Sequence, residues 1–205
     1  FLVDEPVAAA IGIDLDISKP IGNVIVDIGG GTTEVAVISL NGVVTKKAIK
    51  VAGDVMDHDI QNWFRNNHRL EIGDRTAEQI KIAVGSAMRS RSKNILVKGR
   101  DLVSGIPKTI DVRSDEIRQA LKDSVKRILE VVKDALESTP PELSSDIIDR
   151  GILVAGGGAQ LRGLDQVIRE KTNVPCNVVE EPHLAIVKGC GKIIEDLEKY
   201  KHVLI

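Results

Sequence analysis

The stretch Val24-Ile25-Val26-Asp27-Ile28-Gly29-Gly30-Gly31-Thr32-Thr33-Glu34-Val35-Ala36-Val37-Ile38 decides how the rest of the chain is read. It runs from an apolar strand through an acidic residue and three glycines into a second, partly alternating strand. Each glycine loses more backbone entropy on folding than any other residue and contributes no side chain to packing. The run makes sense where the chain turns tightly with positive φ and lets a ligand approach its N–H groups. Successive amides in such a turn form an anion-binding concavity, and the hydroxyls of Thr32 and Thr33 add donors beside it. Asp27, at the mouth of the strand, suits a Mg²⁺ ion held through its waters, because Mg²⁺ dehydrates reluctantly and bridges carboxylate and phosphate. A glycine-rich hairpin with a solvated Asp fits the same stretch taken alone.

A second glycine run, Gly151-Ile152-Leu153-Val154-Ala155-Gly156-Gly157-Gly158-Ala159-Gln160-Leu161, again follows a strand. Leu161, Leu164, Val167 and Ile168 then fall at helical spacing. A strand feeding a glycine loop and a helix start is a nucleotide-binding geometry, since the helix end offers free N–H groups and partial positive charge. Neither run has the Gly-Lys-Ser/Thr of a P-loop or the spaced glycines of a dinucleotide fold. Two such loops far apart in the chain point to one nucleotide held between separated segments.

A chain of 205 residues is long enough for one substantial core, or a core with a small appended subdomain. With 42% hydrophobic residues but only one Trp, one Tyr and two Phe, that core must be aliphatic. The net charge of −2 gives no electrostatic case for nucleic acid. Cys176 and Cys190 have no metal spacing and form no disulfide framework, which fits a reducing cytoplasm. No signal peptide and no apolar run approaching about 18 residues is present, so no membrane span is expected. The chain starts at Phe1, which suggests a fragment or an incompletely recorded sequence.

In chain order, Phe1-Leu2-Val3 reads as the tail of a strand whose sheet lies elsewhere. Pro6 suits the first turn of a helix and keeps Glu5 extended, so Glu5 sits at a strand-to-helix junction. On the residues alone, Glu5 is a helix-start acid favoured by the dipole. Asn41-Gly42 signals a type I′ turn, which makes Val43 to Val51 a third antiparallel strand. Gly53-Asp54 opens a helix carrying Met56, Ile60 and Phe64, with His58 and His68 as surface residues. Thr76 and Gln79 match a capping box ahead of a helix with Ile80, Val84 and Met88 turned inward. Glu78 and Lys81 share a face of that helix and form, on spacing alone, a surface pair. Arg89, Arg91, Lys93, Lys98 and Arg100 have no aromatic between them, which argues against single-stranded nucleic acid. Strands at Asn94–Val97 and Thr109–Val112 complete a small α/β insertion over residues 68–113. Ser114 caps the longest helix, whose stripe Ile117, Leu121, Val125, Ile128, Val132 and Leu136 ends at Pro140-Pro141. After a short strand at Pro175–Val179, Pro182 opens a last helix. Gly189 and Gly191 weaken it unless something packs closely there. The tail Tyr200–Ile205 is amphipathic at best and could pack on another segment or touch a membrane surface.

Asp27-Ile28-Gly29-Gly30-Gly31-Thr32 resembles the second phosphate loop of the actin, sugar-kinase and heat-shock-chaperone ATPase superfamily. Val154-Ala155-Gly156-Gly157-Gly158-Ala159 resembles its adenosine loop, and Asp4-Glu5-Pro6-Val7-Ala8-Ala9-Ala10-Ile11-Gly12 its connecting helix. Outside these motifs, Thr33 to Leu40 and Thr139 to Arg150 are similar to MreB-like bacterial actins. The resemblance runs over nearly the whole chain and is to the second half of that fold; the first phosphate loop is lacking.

The resemblance implies an α/β fold, a mixed sheet flanked by helices, with the insertion 68–113 as the smaller subdomain in the one half-fold 1–205. It implies that the complete protein binds ATP and Mg²⁺, forms filaments, and hydrolyses ATP as a timer of filament state. Glu5 then orients the attacking water, and Asp27 holds Mg²⁺, most simply through water. Gly29, Gly30, Gly31 and Thr32 cradle the phosphates. Glu78 and Lys81 bind the ribose and flank the adenine, while Gly156, Gly157, Gly158 and Ala159 take the adenosine side. Turnover is expected of the complete protein and not of this half alone. The implied partners are further copies of itself, the missing first half, the membrane surface and cell-wall synthesis proteins, with no nucleic acid. The implied place is the cytoplasmic face of the membrane, in a role in cell shape. A sugar or acetate kinase, or a chaperone-type ATPase, shares the superfamily fold, which cannot choose among these functions by itself. The wording outside the loops favours the bacterial actin.

Overall fold

The computed structural model describes residues 1–205 apart from Ser90 and Ser92. Helix α1 (Glu5–Gly12) leads into three antiparallel strands, β1 (Asn23–Ile28), β2 (Thr33–Ser39) and β3 (Gly42–Ile49). Helix α2 (Gly53–His68) follows, then β4 (Leu70–Glu71), α3 (Asp74–Val84), β5 (Asn94–Asp101) and β6 (Pro107–Arg113). Next come α4 (Ser114–Ala120), α5 (Lys122–Glu137), α6 (Pro141–Arg150), β7 (Ile152–Ala155) and α7 (Leu164–Thr172). The chain closes with β8 (Cys176–Val178), α8 (Ala185–Glu195) and α9 (Leu197–Tyr200).

The main sheet has the order β3-β2-β1-β7-β8, and β7 pairs parallel with both β1 and β8, so the sheet is mixed. Every residue of β1 is buried, because the central strand is covered on both faces. That is why it reads as a continuous apolar run and not as an alternation. Val24, Val26 and Ile28 join the larger aliphatic cluster, built on α2, α3, α5 and α7. Ile25, Ala36 and Ile38 face the smaller cluster under α1 and α8. Those two helices pack backbone to backbone. A Cβ at Gly12 would lie 1.9 Å from the Ala185 carbonyl oxygen, and one at Gly189 1.8 Å from that of Ala8. The close packing that Gly189 needed is therefore present; at Gly191 a Cβ would meet nothing.

The second sheet, β4-β5-β6, meets α2 through β4 and α4 through β6. Its buried residues Leu70, Val97 and Val112 are continuous with the larger core cluster.

Several local readings shift. The hairpin turn centres on Leu40 and Asn41, both at positive φ, while Gly42 pairs with Ser39. Thr76 lies inside α3: the Gly73 carbonyl receives the N–H groups of Thr76 and Ala77, each at 3.0 Å. Met88 lies beyond the end of α3. The long stripe spans two helices, broken at Leu121, yet Ile117, Leu121, Val125, Ile128 and Val132 all stay buried. Glu116 accepts the Arg113 N–H at the start of α4, and the Ser114 hydroxyl accepts the Lys93 N–H at 3.0 Å. His68 is not a bare surface residue, since its Nε2 sits 2.8 Å from Glu116. Leu2 and Ile205 exchange backbone hydrogen bonds, which ties the two ends of the chain together.

Candidate functional site

The loop after β1, the N-terminal turn of α2, the inner face of α3 and the loop after β7 enclose a cleft of about 400 Å³. Of the residues expected at the site, Gly29, Gly30, Glu78, Lys81, Gly157 and Gly158 line it. Gly31, Thr32, Gly156, Ala159, Asp27 and Glu5 lie outside its lining.

The first glycine loop is tight, with the Gly29 N–H donating to the Thr32 carbonyl at 3.0 Å. None of Gly29, Gly30 and Gly31 has positive φ, so backbone handedness does not explain them. Free space does. A Cβ at Gly31 would meet nothing, and one at Gly30 would only come within 3.4 Å of the Asp54 carboxylate. The carbonyls of Gly29 and Gly30 accept the N–H groups of Gly53 and Asp54 at 3.2 and 2.9 Å, docking the start of α2 on the loop. The two threonines part ways. Thr33 is fully buried with its hydroxyl donating to Val51 at 2.7 Å, so it is not a ligand donor. Thr32 is half-buried.

Asp27 lies within β1, opposite Glu34 and beside Ala155, at 2% exposure. It is therefore deeper than the mouth of a strand. Its Oδ1 is buried with no hydrogen-bond partner. Burial, then the nearby charges of Glu5 and Glu34, pushes its carboxyl up to about 6. Glu5 is exposed in the first turn of α1. Lys46 balances part of this negative charge, 3.1 Å from Glu34 and 2.8 Å from Asp4. Among the described residues no three His, Cys, Asp or Glu gather to grip a metal directly. A lone buried carboxylate with an orphaned oxygen and a second carboxylate nearby fits an ion held through its own water shell.

The second glycine loop is built differently. Gly156 has φ +84°, and a Cβ there would lie 2.3 Å from the Ile28 carbonyl oxygen. A Cβ at Gly158 would lie 2.3 Å from Ile28 Cγ2. Gly157 has open space above it. The loop continues into a 3-10 turn (Gly157–Gln160), and α7 starts only at Leu164, so no α-helix N-terminus follows the glycines directly. Ala159 is buried in the core.

On α3, Glu78 is exposed at the cleft, whereas Lys81 is engaged: its Nζ donates to Asp57 at 2.8 Å and to the Gly53 carbonyl at 2.9 Å. The surface pair expected between Glu78 and Lys81 is replaced by a bridge from α3 to α2. Sequence reasoning missed Gly53, Asp54, Asp57 and Arg162 as lining residues. The strand-to-Gly53-Asp54 helix start was a usable signal for the first two. No pattern links Lys81 to Asp57, which lies in a different element. Arg162 closes the far end, its guanidinium on the Ala83 carbonyl and its own carbonyl accepting the Ala87 N–H at 2.8 Å.

A mixed sheet between two helical layers, with two glycine loops meeting on one cleft, is the actin-like arrangement. The profile of the MreB/Mbl protein family matches residues 1–202, and the chain belongs to that family. It is 48% identical over 200 residues to the cell shape-determining protein Mbl of Bacillus subtilis, covering 97% of this chain and 60% of that protein. The structure of MreB5 of Spiroplasma citri bound to AMPPNP superposes with a TM-score of 0.91 at 36% identity, over 96% of this chain and 59% of the other. A double helical filament of MamK superposes at 0.77 with 25% identity, over 94% of this chain and 58% of the other. The chain thus spans about 60% of the length of the curated relative. Among the described residues no helix is long and apolar enough to cross a membrane.

Proposed function

We propose that this chain is the part of a bacterial actin that carries the second phosphate loop and the adenosine loop, in a protein that binds ATP and assembles into filaments that organise cell shape. The observation that carries this reading is the convergence of two glycine loops on one cleft, beside a buried Asp27 with an unpartnered oxygen. The family membership and the nucleotide-bound and filamentous relatives support it.

In this reading the N–H groups of Gly30 and Gly31 and the Thr32 hydroxyl receive the phosphates, while Gly29 shapes the loop, and Gly157 leaves room for the adenosine. Glu78 and Lys81 meet the ribose from the α3 side. Asp27 would hold Mg²⁺ through water; bound there, the ion would neutralise charge on the β- and γ-phosphates. Glu5 accepts a hydrogen bond from the attacking water and turns its lone pair toward the γ-phosphorus. Positioning and charge stabilisation supply most of the acceleration in phosphoryl transfer to water. Residues 68–113 act as the small subdomain over the cleft. The protein works at the cytoplasmic face of the membrane, with cell-wall synthesis proteins as its partners.

The test is sedimentation of the full-length protein with and without Mg·ATP. Filaments should pellet with ATP, whereas a small-molecule kinase of the same superfamily would stay in the supernatant. In the same assay Glu5→Gln should still bind nucleotide and pellet while phosphate release slows by about 10²-fold. Weakened binding with normal release per bound nucleotide would remove Glu5 from the water-orienting role.

A further inference from the structure

We propose that Asp57 is a positioning residue for the nucleotide site, holding the Lys81 ammonium on the α3 side of the cleft, where it meets the ribose. This rests on the nucleotide-cleft reading above. An ammonium has three donors. Two of those of Lys81 are taken, by Asp57 Oδ2 at 2.8 Å and by the Gly53 carbonyl at 2.9 Å, and the third is the one left for the cleft that Lys81 lines. The anchor is firm on both sides. The side chains of Lys81 and Asp57 are only 16% and 15% exposed, so water screens the pair weakly. Gly53 is locked in turn, its N–H donating to the Gly29 carbonyl at 3.2 Å. One hydrogen-bonded path therefore runs from the first glycine loop through Gly53 to Lys81 and Asp57, and joins α3 to α2 along the cleft wall.

The glycine at 53 fits this arrangement, because a Cβ there would come within 3.3 Å of Lys81 Nζ and 3.4 Å of the Gly29 carbonyl oxygen. Asp57 depends on the lysine as much as the reverse. Its Oδ1 is buried without a partner, and burial pushes its carboxyl up against the pull of Lys81, with Glu78 and Asp54 adding to the rise. A long lysine side chain free in water spreads over many rotamers; held at two points, it presents its remaining donor without losing that entropy when nucleotide arrives. Asp57 itself is placed to act through Lys81, since its second oxygen is closed off from the cleft.

The experiment uses the full-length protein carrying Asp57→Asn, Lys81→Met and both together, with ATP affinity measured by calorimetry. Asn matches Asp in shape, removes the charge and exchanges one acceptor oxygen for an NH2 donor. Asp57→Asn should weaken ATP binding about tenfold in the parent, the size expected for residues in one hydrogen-bond network. In the Lys81→Met background the same change should leave ATP affinity unaltered. A role confined to folding would give the same loss in both backgrounds and would overturn the proposal, as would no loss in the parent. A second measurement needs no nucleotide: the reductive-methylation rate of Lys81, read by mass spectrometry. It should be slow in the parent and several-fold faster in Asp57→Asn, and equal rates would overturn the positioning role. A parent that binds no ATP, together with the expected change in methylation, would leave the bridge standing and discard the nucleotide reading instead.

Discussion

The two glycine triplets are spelled alike and do opposite things. At Gly29-Gly30-Gly31 the backbone φ values are ordinary and the space beyond the Cα atoms is empty or nearly so. At Gly156-Gly157-Gly158 the first glycine has positive φ, and both outer positions press on Ile28, so only at the middle one would a Cβ meet open space. The first triplet leaves room for something outside the chain. The second makes room for the chain itself, letting the end of β7 close on the end of β1. What distinguishes them is the neighbour: Ile28 closes β1 and is contacted by the second loop, while the first loop is a hairpin tip that rests on the start of α2.

The largest expected effect follows from that contrast. Gly156→Ala puts a methyl against backbone at a positive φ, and should destabilise by about 3 kcal/mol, lowering Tm by several degrees. Gly158→Ala, whose methyl would press on Ile28 Cγ2 but without a positive φ to strain, should lose less. Thermal unfolding decides it, and an unchanged Tm for Gly156→Ala would make the two triplets alike after all.

Next in size is the acid beside the first triplet. Because the folded carboxyl of Asp27 is raised from 3.8 to about 6, the folded state holds its proton more tightly than the unfolded chain. Its favourable contribution is therefore full below about pH 4 and is lost as pH climbs toward 6. Above that, an ionised Asp27 weighs on the fold unless a cation sits on it. Asp27→Asn should stabilise the ligand-free protein by about 2 kcal/mol near pH 7.5, with the gain vanishing near pH 4. It should also abolish metal-dependent ATP turnover. Denaturant titrations at several pH values read the first part, and a flat difference across pH would mean that the Asp27 carboxyl titrates alike in the folded and unfolded chain.

The smallest change in stability belongs to the two open glycines. Gly31→Ala and Gly157→Ala should each shift unfolding by no more than about 0.5 kcal/mol, since an added methyl meets nothing. Both should still weaken ATP binding, Gly157→Ala because its methyl enters the cleft and Gly31→Ala because its methyl crowds the loop amides proposed to receive the phosphates. Unchanged affinity at both positions would mean that the nucleotide lies elsewhere.

Much of the fold was legible because it is written in local periods. The apolar run Val24–Val26 of β1 announced a buried strand, and the stripe from Ile117 to Leu136 marked a buried helical face even though the chain breaks at Leu121. The two glycine runs located the walls of the cleft for the same reason, as each is a contiguous word. Thr76 was misread because a capping pattern competes with any earlier residue able to accept the first free N–H groups, and the Gly73 carbonyl does so. Thr33 was misread because adjacent strand residues point to opposite sides, which sends its hydroxyl to Val51 and away from the loop.

By itself the sequence determined most of the order of strands and helices, the aliphatic core and the presence of two glycine loops, since these depend on residues a few positions apart; β4, α6 and α9 came only with the structure. Only the tertiary structure decided what each glycine is for, that Asp27 is buried with an oxygen unpartnered, and that Lys81 belongs to Asp57. Those properties depend on which distant atoms come within a few ångströms, and burial, clash and charge pairing all fall off over that distance.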